Sequence, residues 1–211
     1  MDIERDYFLF LADVKGSSSL SGGKATALRR KLDAALEALN GEIEPKPLRG
    51  FSLNYGDEIA ALFSSPEPLF EAARLLRERL RPFRFRFAVA QGRVGAATKD
   101  ITQMGGAAFK LASEALDAAK KQDRFCRWRL KDSAENRVLN ALVEMSDAIV
   151  LGMTDYQHQV YQALRHGEPQ VEIAARLGKA PQSVSKAARS GGARLAIEAE
   201  EAILAVLARM A

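Results

Sequence analysis

The sequence has one cysteine and two histidines among its 211 residues. A single cysteine, Cys126, excludes an internal disulfide framework and is typical of a reducing compartment. His158 and His166 have no partner at the spacing of metal ligands, so we expect them on helix surfaces rather than in a metal centre.

The chain also lacks a long hydrophobic run, a repeat and a low-complexity segment. No apolar stretch approaches the roughly 20 residues that cross a bilayer, and neither end resembles a secretory signal. We therefore expect a soluble, cytoplasmic protein that does not bind a membrane. A hydrophobic content of 47% suffices for one large domain, or for a domain and a small module.

Neither sign of charge dominates. A net charge of +4 permits a polyanionic partner but does not require one. Basic residues are concentrated between Arg74 and Lys131, whereas the first forty and the last sixty residues are nearly balanced.

Two apolar segments end in carboxylates. Residues 51–63 alternate up to a Gly-Asp-Glu turn and continue as an apolar run, which predicts a hairpin with Asp57 and Glu58 at its tip. Residues 7–12 read as a buried strand that ends at Asp13. If the two strands are neighbours, Asp13 and Asp57 converge at one sheet edge, where they suit a divalent cation carrying phosphate oxygens. The alternative is two ordinary turn aspartates.

The order of elements predicts an α+β fold. Strand, helix, strand, strand, helix, strand, helix and strand follow one another, which is a ferredoxin-like β-α-β-β-α-β, palm-like plan with additions. The predicted helices are 24–39, 66–80, 107–121 and 133–151, and the later strands are 83–90 and 124–130. Trp128 in the last strand indicates either a half-buried edge strand or a surface on which bases stack.

The final third predicts an all-α helix-turn-helix module. Its helices are 156–164, 168–177 and a third from residue 180, with Gly178 at the tight turn. The second helix should bury Val171, Ile173, Ala174 and Leu177. The third leaves five residues outward whose types contact base edges and phosphates: Gln182, Ser183, Ser185, Lys186 and Arg189. The alternative is a packing module that never contacts DNA, because Glu198, Glu200 and Glu201 follow it.

Four segments resemble a known family in their order and spacing. Leu11-Ala12-Asp13-Val14, residues 55–63, residues 87–92 and residues 104–113 resemble the catalytic domain of class III nucleotide cyclases. The Gly-Asp-Glu hairpin is also similar to the signature of diguanylate cyclases. Residues 172–186 are similar to the helix-turn-helix of many bacterial regulators. The whole chain resembles the SatD family, with a cyclase-like domain at 1–131, a linking helix at 132–153 and a DNA-binding module at 154–211.

The resemblance implies a metal site. Asp13 and Asp57 would hold Mg2+ or Mn2+, and the Val14 carbonyl would help with a second ion. Glu58 would be a further ligand if the diguanylate cyclases are the better comparison. Nucleotide contacts would come from Lys15, Gly16, Ser17, Ser18 and Lys110, although the spacing is not that of a P-loop.

The departures from the cyclase pattern argue against cyclase activity. Leu53 stands where cyclases have a base-reading lysine, and Lys110 and Glu114 replace an asparagine and an arginine. A carboxylate at the last position repels the phosphate charge that must be stabilised. We therefore expect a homodimeric DNA-binding regulator whose cyclase-like domain senses a nucleotide or only dimerises. The second hypothesis is a metal-dependent nucleotide enzyme with an accessory C-terminal module.

Overall fold

The computed structural model describes residues 4–54, 58–95, 98 and 100–210. Over this range the fold is mixed α+β, with one five-stranded sheet and eight α-helices. The chain divides into two compact units, Met1–Asn140 with Val206–Ala211 and Ala141–Ala205, called unit 1 and unit 2 below. Within the described part of the chain, no helix is both long enough and apolar enough to span a lipid bilayer.

The sheet of unit 1 has the order β2-β3-β1-β4-β5. The central strand β1 pairs antiparallel with β3 and β4, whereas β5 lies parallel to β4. Both faces of β1 are buried, which explains why residues 7–12 are an unbroken apolar run. The strands are β1 (Asp6–Val14), β2 (Arg49–Leu53), β3 (Ile59–Phe63), β4 (Phe85–Arg93) and β5 (Cys126–Arg129).

Each face of the sheet has its own core. One face packs against α3 through small and aliphatic side chains such as Leu9, Ala88 and Ala112. The other carries an aromatic cluster in which Phe10 stacks on Phe87 at 5.6 Å between ring centroids. Trp128 meets Phe87 edge-on at 6.2 Å and is 1% exposed, so it is more deeply buried than either sequence interpretation required and cannot stack on a base.

The helices of unit 1 follow the predicted order. They are α1 (Gly22–Glu42), α2 (Pro68–Leu80) and α3 (Ala107–Lys121). The prediction that α1 ends at residue 39 is wrong, because the helix continues through Asn40 and Gly41. The Asn40 side chain instead binds β2: its Nδ2 donates to the Phe51 carbonyl at 2.9 Å, and the Phe51 N–H donates to its Oδ1 at 2.7 Å. A Cβ on Gly50 would lie 2.7 Å from that Oδ1, so any other residue there would push the Asn40 amide out of this position.

The opposite edge of the sheet is closed in the same way by helix α4 (Ser133–Gly152). The Asn140 side chain accepts from the Trp128 N–H at 2.9 Å and donates to its carbonyl at 3.3 Å. One turn earlier, Asn136 accepts from the Leu130 N–H at 2.7 Å and donates to its carbonyl at 2.9 Å. Asparagines four residues apart on the helix can bind alternate residues along the strand, because four helical residues rise about 6 Å and two strand residues about 6.6 Å.

Unit 2 is all-helical. It contains the later part of α4, then α5 (Asp155–Arg165), α6 (Gln170–Leu177), α7 (Pro181–Ser190) and most of α8 (Ala193–Ala208). A capping box between Thr154 and Gln157 begins α5. The prediction that Val171 faces the core is wrong: it is 68% exposed, and at 100° per residue it lies about 160° round α6 from the fully buried Ile173.

A buried carboxylate connects the helices of unit 2. Glu200 on α8 is 2% exposed. It accepts a hydrogen bond from the Tyr161 hydroxyl at 2.6 Å, and it pairs with the Arg165 guanidinium at 3.0 Å. One of the three acids that weighed against DNA binding is therefore internal and neutralised.

Candidate functional site

The turn between α6 and α7 is a tight three-residue connection, residues 178–180. Gly178 closes α6 in the left-handed conformation, with φ 61° and ψ 39°. The Lys179 N–H donates to the Ala174 carbonyl at 2.8 Å, and the Gly178 N–H donates to the Ala175 carbonyl at 3.2 Å. These two bonds form a Schellman motif, which satisfies the last carbonyls of α6 and reverses the chain sharply. The turn thereby sets where α7 begins.

Helix α7 has one apolar face. Val184, Ala187 and Ala188 are all less than 7% exposed, and they belong to the same cluster as Ile173 on α6 and Val160 on α5. Because these side chains are small, α7 approaches its neighbours closely. The rest of α7 is left to solvent.

The five residues predicted to contact DNA lie together on that solvent face. At 100° per residue they cover a continuous arc of about 160°, and none of them is acidic. Neither Lys186 nor Arg189 forms an ion pair with a described residue. The structure thus brings the whole predicted set to one side of one helix, where all five are exposed: Gln182, Ser183, Ser185, Lys186 and Arg189.

The predicted metal residues are placed differently. Asp13 lies near the end of β1, and its carboxylate pairs with the Lys120 Nζ of α3 at 3.2 Å. Glu58 accepts from the Asn54 Nδ2 at 2.9 Å. Val14 is buried in the sheet opposite Phe85.

Asp57, the second carboxylate of the predicted metal site, lies outside the described residues. Among the residues that are described, no group of three potential ligands could hold a metal ion. Asp13 and Glu58 each have a partner in the chain, the Lys120 ammonium and the Asn54 amide, and the metal site at Asp13, Val14, Asp57 and Glu58 stays a prediction.

Three groups beside Asp13 form a small ionic cluster. The Asp123 carboxylate accepts from the Lys15 ammonium at 2.7 Å and from the Arg86 guanidinium at 2.5 Å. The hydrogen bond from Lys15, followed by that from Arg86, lowers the pKa of Asp123 below its usual value. Lys15, predicted to face a phosphate, is thus occupied by a carboxylate of its own chain.

The residues after Lys15 line a pocket. Gly16, with φ 75°, starts the 3-10 turn Ser17–Ser19. Ser17 and Ser18 border a cavity of about 320 Å³ whose wall includes Leu53, the residue in the position of the cyclase lysine. The remaining lining residues are Ala25, Leu28, Arg29 and Leu32.

Lys110, the last residue predicted to contact a nucleotide, lies apart from Asp13 and the cavity after β1. It lies in the first turn of α3, whereas Lys120, ten residues further along that helix, meets Asp13. Ten helical residues rise about 15 Å. Within one chain, therefore, Lys110 lies well away from the Asp13 carboxylate.

Sequence reasoning missed a basic cavity at the β5 edge. A volume of about 600 Å³ is bordered by Arg127, Arg129 and Arg137. The available signal was the basic excess of residues 74–131, together with an arginine on either side of Trp128. Residue 137 could not be connected with them, because it follows in the next helix.

No protein-family model and no curated protein matches the chain. Similar solved structures include a bacterial light-regulated adenylyl cyclase, with 10% identity and a TM-score of 0.45, covering 59% of this chain and 43% of that one. Another is the non-canonical dimeric guanylyl cyclase domain of the RhoGC fusion protein from the aquatic fungus Blastocladiella emersonii, with 15% identity and a TM-score of 0.41, covering 54% and 74%. A third is a class III adenylyl cyclase-like ATP-binding protein from Pseudomonas aeruginosa, with 14% identity and a TM-score of 0.43, covering 67% and 39%.

Cyclase-like domains are thus among the solved structures to which this chain is similar. The chain spans less than half the length of the first and the third of them. At these TM-scores and identities, the similarity assigns no activity, ligand or partner to the chain.

Proposed function

We propose that the protein binds duplex DNA through α7 and acts as a cytoplasmic regulator. The observation that carries the proposal is the exposed, acid-free face of α7 behind a Schellman turn. Lys186 and Arg189 would contact phosphates, and Gln182 has the amide that pairs with adenine in a major groove. The arrangement agrees with the resemblance to bacterial regulators noted in the sequence.

The test is an anisotropy titration with mixed-sequence duplex DNA over a salt series. Lys186→Ala with Arg189→Ala should weaken binding at least tenfold and make the slope of log K against log salt shallower by about 2, since two phosphate contacts are lost. The matched control is Lys24→Ala with Arg30→Ala, which removes the same charge from exposed positions in unit 1. Absence of binding at 50 mM salt, or an equal loss in the control, would contradict the proposal.

We further propose that the protein acts as a homodimer. Helix-turn-helix modules read two half-sites about 34 Å apart through a two-fold pair, and the single α7 of one chain can occupy only one half-site. Light scattering on the free protein and on its DNA complex measures this. A mass near twice 23.1 kDa is expected. A monomer bound alone to a palindromic duplex is the opposing result.

A second candidate function concerns the cavity after β1. We propose that Ser17 and Ser18 face the phosphate of a nucleotide, with Mg2+ or Mn2+ on Asp13 and Asp57 as the SatD-like and cyclase-like resemblance implies. Support comes from the position of both serines, which border an open cavity directly after the strand that carries Asp13. The ion would replace the Lys120 ammonium as the partner of Asp13.

Thermal shifts with nucleotides, with and without Mg2+ or Mn2+, test this site, because a ligand that binds only the folded state must raise its stability. Asp13→Asn should abolish the metal-dependent part of the shift, and Asp117→Asn on the exposed side of α3 should not. A shift unchanged by Asp13→Asn would remove Asp13 from the site. Release of phosphate during the same incubation would instead favour the enzyme hypothesis.

A further inference from the structure

The basic cavity of unit 1 lies outside both sites discussed above. It is bordered by the C-terminal half of α3, by β5 and by the first turns of α4. Its volume of about 600 Å³ falls within the range of cavities that hold small molecules. Ala115 and Ala118 give it an apolar wall on the α3 side.

The charge around the cavity has one sign. Arg127 and Arg129 are alternate residues of β5, so their side chains leave the same face of the strand roughly 7 Å apart. Arg137 comes from α4 and also borders the space. No lining residue is acidic, and none of the three arginines forms an ion pair within the described part of the chain.

The acids near the cavity are already engaged. Asp132 caps α4 by accepting from the N–H groups of Ala134 at 2.6 Å and Glu135 at 3.0 Å. These bonds, with a smaller contribution from the charge of Arg137, lower its pKa. The Glu135 carboxylate faces Arg209 at 4.0 Å. Neither acid borders the cavity, so no carboxylate within the cavity offsets the positive charge of the three arginines.

The wall between the arginines is rigid. Asn136 and Asn140 both line the cavity, and both side-chain amides are held by the backbone of β5 and the residue after it. They cannot turn away without leaving backbone groups of Trp128 and Leu130 unpaired. The backbone positions that carry the three guanidinium groups are therefore fixed before any ligand arrives, which reduces the entropy lost on binding.

We propose that this cavity binds a small polyphosphate anion, either free or as part of a nucleoside di- or triphosphate. Planar guanidinium groups bind phosphate oxygens in a bidentate manner, so three arginines around one cavity favour an anion that offers several phosphate oxygens at once. The alanine wall leaves room for an uncharged group attached to the phosphates. Binding here needs no metal and does not depend on α7 or on Asp13.

The experiment is calorimetric titration of the full-length protein with pyrophosphate and, separately, with ATP, in a buffer free of divalent ions. Arg127→Ala with Arg129→Ala should weaken binding at least tenfold. Arg30→Ala with Arg84→Ala, both exposed and outside the cavity, should leave it unchanged. Tighter binding of ATP than of pyrophosphate would identify the nucleotide as the ligand, and equal binding would identify the free polyphosphate.

A second variant tests whether weaker binding reflects loss of this cavity rather than the general loss of positive charge. Ala118→Leu fills the apolar wall, keeps every arginine and should also weaken binding. Melting of each variant without ligand reports whether it is folded. The proposal is overturned if wild-type protein does not bind pyrophosphate, if sulfate at equal ionic strength gives the same heat, or if the arginine variant binds normally.

Discussion

The charged residues of the predicted site are paired with other residues of the chain in unit 1 but not in unit 2. In unit 1, Asp13 pairs with Lys120 and Lys15 pairs with Asp123, so the groups expected to meet a metal and a phosphate each already have an ionic partner in the chain. In unit 2, Lys186 and Arg189 have no ionic partner among the described residues and point to solvent. A surface whose charges remain uncompensated is the better candidate for a charged partner, since nothing has to be displaced before binding.

The largest expected effect tests whether the stability of unit 2 depends on the ion pair between buried Glu200 and Arg165. Glu200→Ala should lower the free energy of unfolding by about 3 kcal/mol, because it leaves the Arg165 guanidinium and the Tyr161 hydroxyl without their buried acceptor. Urea denaturation measures the change. Exposed Glu198→Ala should change stability by no more than about 0.5 kcal/mol. Equal small effects in both variants would show that the buried pair contributes nothing.

A smaller effect tests the turn that places α7. Gly178→Ala should cost about 1 kcal/mol, because a Cβ in the left-handed conformation is strained, although a Cβ there would meet no other atom within 4 Å. Gly152→Ala, which also meets no neighbour and lies at the end of a helix without a positive φ, is the matched control. DNA affinity should fall in the first variant alone. Unfolding curves and the anisotropy titration measure the two consequences, and identical behaviour of the two variants would argue against a strained turn.

The smallest effect concerns the ionic cluster of unit 1. The pKa of Asp123 is lowered in the folded state, so its contribution to stability is present above the unfolded pKa of about 4 and is lost as the pH falls through the lower, folded value. Asp123→Asn should therefore make the free energy of unfolding depend slightly less on pH in the acid range. Near pH 7 the pH dependence should be the same in the variant and the wild type. Thermal melts from pH 2 to pH 7 at low and high salt measure this, with Asp33→Asn as the control. The side chain of Asp123 is 74% exposed, so salt should suppress the difference.

The elements of the fold could be predicted because their signals are local. Helix α3 was predicted at residues 107–121, directly after a Gly-Gly pair, and the structure has it there. Helices α5 to α7 were predicted to within about two residues for the same reason. The end of α1 and the exposure of Val171 were predicted wrongly. In α1 a tertiary hydrogen bond from Asn40 replaces the expected helix end, and in α6 the apolar face is narrower than its apolar residues suggest.

The candidate sites could be predicted only where one element carries them. The five residues of α7 belong to a single helix, so their common face follows from helical spacing. The Asp13–Lys120 pair and the three-arginine cavity each join elements that are distant or separated by a turn. Which long side chains meet across such distances depends on the packing of the sheet and helices, which residue spacing does not encode.

The asparagines at both ends of the sheet have a consequence for how unit 1 associates. A strand with free N–H and C=O groups invites a strand from another molecule, and this is the usual route to runaway cross-β growth. Here Asn40 occupies the outer groups of Phe51, and Asn136 and Asn140 occupy those of Leu130 and Trp128. A docking peptide would have to displace these amides before it could extend the sheet. Edge-to-edge pairing at these positions is therefore disfavoured, and a second copy should associate with unit 1 more readily through side-chain surfaces than by extending the sheet.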